Sequence, residues 1–169
     1  MKTAFITFLL GLFCTAAFAA PDAAATDPLQ TIRGALIRQA LAGDESRLKQ
    51  QTPADPSLVK KIAPARLGTN LAKYAPKITG ADFDIEPPAE QPAYIGVWIF
   101  SYRTHKAALL DEQNIKAFCQ GNHFKAKVLT HFSSTVVANK IIVAFTENPF
   151  NQSAVNFVNS VPGLLAKNS

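Results

Sequence analysis

Residues 93–102, A-Y-I-G-V-W-I-F-S-Y, are apolar at odd and even positions alike. On a strand, Tyr94, Trp98, Phe100 and Tyr102 fall on one side and Ile95, Val97 and Ile99 on the other. A strand of this kind is central and covered on both faces. Residues 140–146, K-I-I-V-A-F-T, predict a second buried strand. Between the two, Thr104 is placed to cap a helix bearing Ala107, Ala108, Leu110, Ile115, Phe118 and Cys119, which Gly121-Asn122 would end. Residues 124–132 alternate, with Phe124, Ala126, Val128, Thr130 and Phe132 against Lys125, Lys127, Leu129 and His131, the pattern of a half-buried strand. A turn belongs after it, at Ser133-Ser134 or around Ala138-Asn139. Asn151 then caps a last helix carrying Ala154, Val155, Val158 and Val161. Phe150 is positioned to fold onto Val155, and Pro162-Gly163 provides a stop.

The first half reads differently. Asp27-Pro28 opens a helix with Leu29, Ile32, Leu36, Ile37 and Leu41 at helical spacing, closed near Gly43. Residues 52–57, T-P-A-D-P-S, form a turn cluster. Helical spacing resumes through Leu58, Val59, Ile62, Leu67, Leu71 and Tyr74, with Pro64 dividing it into two short helices and Pro76 closing it. A weaker strand follows at residues 81–85. Residues 86–92, E-P-P-A-E-Q-P, are a stiff connector between a helical part, 27–80, and a sheet-containing part, 81–169. The expected fold is α+β, a small antiparallel or mixed sheet with helices on one face. The N-terminal helices cover its remaining apolar surface.

The extreme N-terminus changes the picture of where the protein works. Met1-Lys2 is a positive start, residues 4–13 are almost wholly apolar, and Ala17-Phe18-Ala19 is a small-x-small site. Together these predict an export signal, residues 1–19, cleaved after Ala19. Its apolar core is about half the ~20 residues needed to span a bilayer. Residues 20–26 form a flexible lead, and 27–169 a single domain in the periplasm or outside the cell. Of seventeen Lys and Arg, one leaves with the leader. All twelve Asp and Glu stay, so the mature charge is +4. That is too mild for a nucleic-acid binder, and no later apolar run is long enough for a transmembrane span.

Chemistry is sparsely marked. Cys14 leaves with the leader, so Cys119 has no intrachain disulfide partner. Cys119 with His123 or His131 is a nucleophile–base candidate of the kind that a thiol enzyme or small hydrolase would require. No spacing suggests a metal site, and no cofactor is implied. The tetrads S-R-L-K at 46–49 and S-L-V-K at 57–60 match a serine-enzyme motif without its partner motifs. Asp82, Asp84 and Glu86 would share one face of a strand. Asn151-Gln152-Ser153 is a glycosylation sequon.

Two surfaces suit a partner: a rim of Tyr102, Arg103 and His105 at a strand end, and a basic stretch over residues 47–77 that includes Lys60, Lys61 and Arg66. The basic stretch would also suit peripheral contact with anionic lipid. The absence of a catalytic set favours an exported binding protein over an enzyme: an inhibitor, an immunity-type protein or an envelope accessory subunit. Its partner would be a protein of the envelope or a secreted target. Protein recovered from its native host is expected to begin at Ala20 when its N-terminus is sequenced. A product that retains Met1 overturns the extracytoplasmic assignment.

Overall fold

The computed structural model describes residues 27–122 and 131–167. Its centre is a five-stranded antiparallel sheet in the order β1-β2-β3-β5-β4. The strands are β1, Leu48–Pro53; β2, Lys77–Ile85; β3, Ala93–Ser101; β4, Phe132–Val137; and β5, Lys140–Thr146. The helices are α1, Pro28–Ala40; α2, Pro56–Leu67; α3, Leu71–Tyr74; α4, His105–Asn122; and α5, Gln152–Ala166. Among the described residues no helix is long and apolar enough to cross a membrane.

The α+β class and the buried central strands stand as the pattern implies. Strand β3 pairs with β2 on one side and β5 on the other. Its two apolar faces support two cores. Ile95, Val97 and Ile99, with Phe83 of β2 and Ile142 of β5, pack beneath Ile32 and Leu36 of α1 and Phe157 and Val161 of α5. On the opposite face, Trp98, Phe100, Ile141, Val143 and Phe145 meet Val59, Ala63 and Leu67 of α2 and Ile115 and Cys119 of α4. The helices are therefore divided between both faces. A strand apolar on both sides has no other way to leave water.

Several local expectations change. Residues 48–53 form an edge strand within what the sequence suggests is purely helical chain, and β2 starts as early as Lys77. The β1 side chains are exposed from Lys49 onward, so no alternation of apolar residues marks it. Its backbone pairing with β2 holds it instead. The connector 86–92 joins two adjacent antiparallel strands, β2 and β3.

Pro64 lies inside α2 without breaking it, because Lys60, whose carbonyl loses its N–H partner, is exposed and that carbonyl can be solvated. The break falls at Gly68, in the left-handed region at φ 72°, where a Cβ would come within 2.4 Å of Phe118. Pro162 and Gly163 likewise sit within α5, which runs on to Ala166. Phe150 does not fold onto Val155; it is 94% exposed. Leu110, expected on the apolar stripe of α4, is also exposed, while Asp111 and Glu112 are buried. The turn between the last two strands is at Ala138-Asn139, with Ser133 and Ser134 inside β4. The expected strand over 124–132 lies outside the described residues except for His131 and Phe132.

Asp111 is fully buried and holds three elements together. Its carboxylate accepts from the Tyr102 hydroxyl at 2.7 Å, from the Asn70 backbone N–H at 2.9 Å and from the Asn114 amide at 3.3 Å. It thereby links α4 to the end of β3 and to the α2–α3 turn. Burial, then the hydrogen bond to this carboxylate, raises the Tyr102 phenol well above its usual range, so it remains a donor at physiological pH. Tyr102→Phe leaves a buried acceptor short of a partner and is expected to cost about 1–3 kcal/mol. Urea denaturation measures this, and an unchanged midpoint would remove the proposed tie.

Candidate functional site

The second face of the sheet is unevenly covered, and the reason lies in β2. Its odd residues Ala81, Phe83 and Ile85 enter the α1/α5 core. Ile78, near the start of β2, packs against the other core, and the even residues that follow it on that face are Gly80, Asp82 and Asp84. None of the latter supplies apolar bulk, so the α2/α4 core thins out beyond β3. A recess of about 190 Å³ remains under α2, walled by Leu58, Val59, Ile62 and Arg66 and floored by Tyr94, Trp98 and Phe145.

Three aromatic rings order the floor. Phe145 meets Trp98 edge-on with centroids 4.5 Å apart and lies 6.0 Å from Tyr94. Phe145 is paired across the ladder with Gly96, where an added Cβ would meet its ring at 2.2 Å. Glycine at 96 is what lets this ring lie down on the sheet.

A wider, open recess of about 570 Å³ continues past the same Tyr94 and Glu147 to Lys49, Asp84, Glu86, Pro92 and Asn148. A third, also lined by Asn148, is bounded by Ala89, Glu90, Gln91 and Phe150. All three lie where β2 ends, β3 begins and β5 ends. Phe150 stands free at one extreme, and Leu58, 53% exposed, at the other.

The loops that shape this end are tied down. Asn151 caps α5 through Ala154 N–H at 2.8 Å and donates its amide to the Gln91 carbonyl at 2.7 Å. The Glu90 carboxylate accepts from Ser153 N–H and its hydroxyl at the same helix N-terminus, where the helix dipole favours negative charge. The connector 86–92 is thus anchored to α5. Asn151 is buried by these contacts, which leaves its sequon inaccessible in the folded chain.

Electrostatically the groove opposes the rest of the protein. Lys49 pairs with Glu86 at 3.0 Å and Arg66 with Glu147 at 2.5 Å. The Tyr94 hydroxyl donates to Asp82 at 2.7 Å. Partial burial raises the Asp82 pKa; Tyr94's hydrogen bond works against that shift, and the neighbouring Asp84 adds to it.

The residues marked in the sequence are not gathered into one place. Arg66 lines the groove. Lys60 and Lys61 are exposed on α2. Tyr102 is buried and bonded to Asp111, so it supplies no rim. Arg103 is exposed and His105 contacts the Ala138 carbonyl, both at the opposite end of the sheet.

Cys119 is 5% exposed within the second core, and burial pushes its thiol up to about 11, so little nucleophilic thiolate exists near neutral pH. His131 is half-buried ahead of β4 and its carbonyl accepts from Thr146 N–H; His123 lies outside the described residues. Among the described residues no group of His, Cys, Asp or Glu is placed to hold a metal. Tyr94, Phe145, Glu147 and Phe150 escaped attention as site residues because strand patterning assigns the first two to the core and gives no signal for the others. Family models, curated proteins and solved structures offer no match to this chain.

The raised Asp82 pKa carries a sign. The folded state holds this proton more tightly than the unfolded chain, so Asp82 lowers stability as pH climbs from about 4 through the raised folded value. Asp82→Asn is expected to raise Tm at pH 7, with the gain fading below about pH 4. Thermal unfolding followed by circular dichroism tests it; an equal gain at both pH values overturns the assignment.

Proposed function

We propose that this is an exported, non-enzymatic protein that acts by binding another protein of the envelope or of the extracellular space. Inhibitors, immunity-type proteins and envelope accessory subunits are of this kind. The observation that carries the reading is the groove at one end of the sheet, with Phe150 standing 94% exposed beside it. A large aromatic side chain held out in water adds nothing to a solitary fold and is the residue type that anchors interfaces. The neighbouring backbone is fixed by Asn151 and Glu90, so the anchor is presented on a rigid support and little ordering entropy opposes docking.

The buried, protonated Cys119 offers no support for thiol chemistry. Of the basic residues of 47–77, Arg47, Lys49 and Arg66 are each committed to a carboxylate, which weakens a lipid-docking surface there.

Tagged protein purified from its native envelope or medium is expected to bring down one partner in near-stoichiometric amount. The Phe150→Ala variant should lose most of it, an interface anchor being worth about 2 kcal/mol or more. Recovery of no partner, or equal recovery with both proteins, overturns this reading.

A further inference from the structure

The groove's charge opposes that of the whole chain, and its carboxylates are strung out along it. The described residues lining its three recesses include Asp55, Asp82, Asp84, Glu86, Glu90 and Glu147. The cations there are Lys49 and Arg66, each already paired within the groove. The lining therefore carries four carboxylates in excess on a chain whose formal net charge is +5. Convergence on a point ion is not what these groups do, since no metal-holding cluster forms among the described residues. Asp82 and Asp84 instead follow one another along one face of β2, about 7 Å apart by strand geometry. That is the spacing of alternate side chains in an extended peptide.

We infer that the groove takes an extended, basic segment of the partner protein, with Lys or Arg at alternate positions. The inference rests on the protein-binding reading and adds the partner's chemistry. One basic side chain enters the recess under α2. Its aliphatic stem or guanidinium plane lies against the Tyr94, Trp98 and Phe145 floor, and its charge meets Asp82 and Glu147 at the rim. Partial burial weakens water's hold on the Asp82 carboxylate, so a cation placed there is less screened than one on an open surface. The next basic residue reaches Asp84 and Glu86 in the wider recess, and an apolar neighbour packs on Phe150.

Fluorescence anisotropy with three labelled peptides of equal length tests this, alternating phenylalanine with lysine, serine or glutamate. The lysine peptide is expected to bind the mature protein about tenfold or more tighter than the serine peptide, and more weakly as salt rises. The glutamate peptide should not bind. The double variant Asp82→Asn/Glu147→Gln should weaken lysine-peptide binding about tenfold. The double variant Asp44→Asn/Glu45→Gln, which removes the same two charges outside the groove, should leave it unchanged, with thermal unfolding confirming that both variants fold. Equal binding of lysine and serine peptides, both abolished by Phe150→Ala, overturns the basic preference and leaves the protein-binding reading standing. Failure of every peptide to bind, or indifference to the Asp82→Asn/Glu147→Gln variant, overturns the groove as the docking site.

Discussion

Burial of strand β3 on both faces is the constraint from which the architecture follows. Ile95, Val97 and Ile99 must leave water on one side, and Trp98 and Phe100 on the other. No single layer of helices can do both. The chain meets this by wrapping: α1 and α5, the first and last helices, close one face, while α2 and α4 close the other. Strands β2 and β5 flank β3 because each supplies apolar residues on at least one side, and the more polar β1 and β4 take the edges.

The groove is a by-product of the same rule applied to a strand that obeys it on one face and only at its start on the other. β2 buries Phe83 and Ile85 beneath α1 and α5, yet after Ile78 offers only Gly80, Asp82 and Asp84 to the second layer. The second core is therefore complete over β3 and β5 and incomplete over β2. Tyr94 lies at that margin, one end of its side chain against Phe145 and the other bonded to Asp82. A tyrosine serves well there, having an apolar body and a polar tip. What the fold leaves uncovered is thus a concave strip that is apolar in depth and acidic at the rim.

Most of the regular elements are visible in residue order, and the departures share a cause. Strand β1 has no apolar alternation because its side chains are exposed; it exists by backbone hydrogen bonds to β2, which leave no mark on side-chain pattern. Pro64 and Pro162 look like helix stops, but each sits where its helix face is open to some degree, and packing elsewhere on the helix outweighs the lost bond. Phe150 precedes a helix cap as a staple would, yet it points away because the Asn151 and Ser153 side-chain contacts with the connector set the chain's direction. In each case a contact distant in sequence overrode a local preference.

The α+β class, the two-faced central strand, the cap residues Asp27, Thr104 and Asn151, and the pairing of apolar periodicity with burial follow from residue order, since they depend on neighbours a few positions away. The strand order, the tie of Asp111 to Tyr102 and Asn70, and the assembly of Leu58, Tyr94, Glu147 and Phe150 around one groove depend on segments up to about ninety residues apart. Periodicity reports which face of an element is apolar. It is silent on which other element meets that face, and the groove is made where such a meeting falls short.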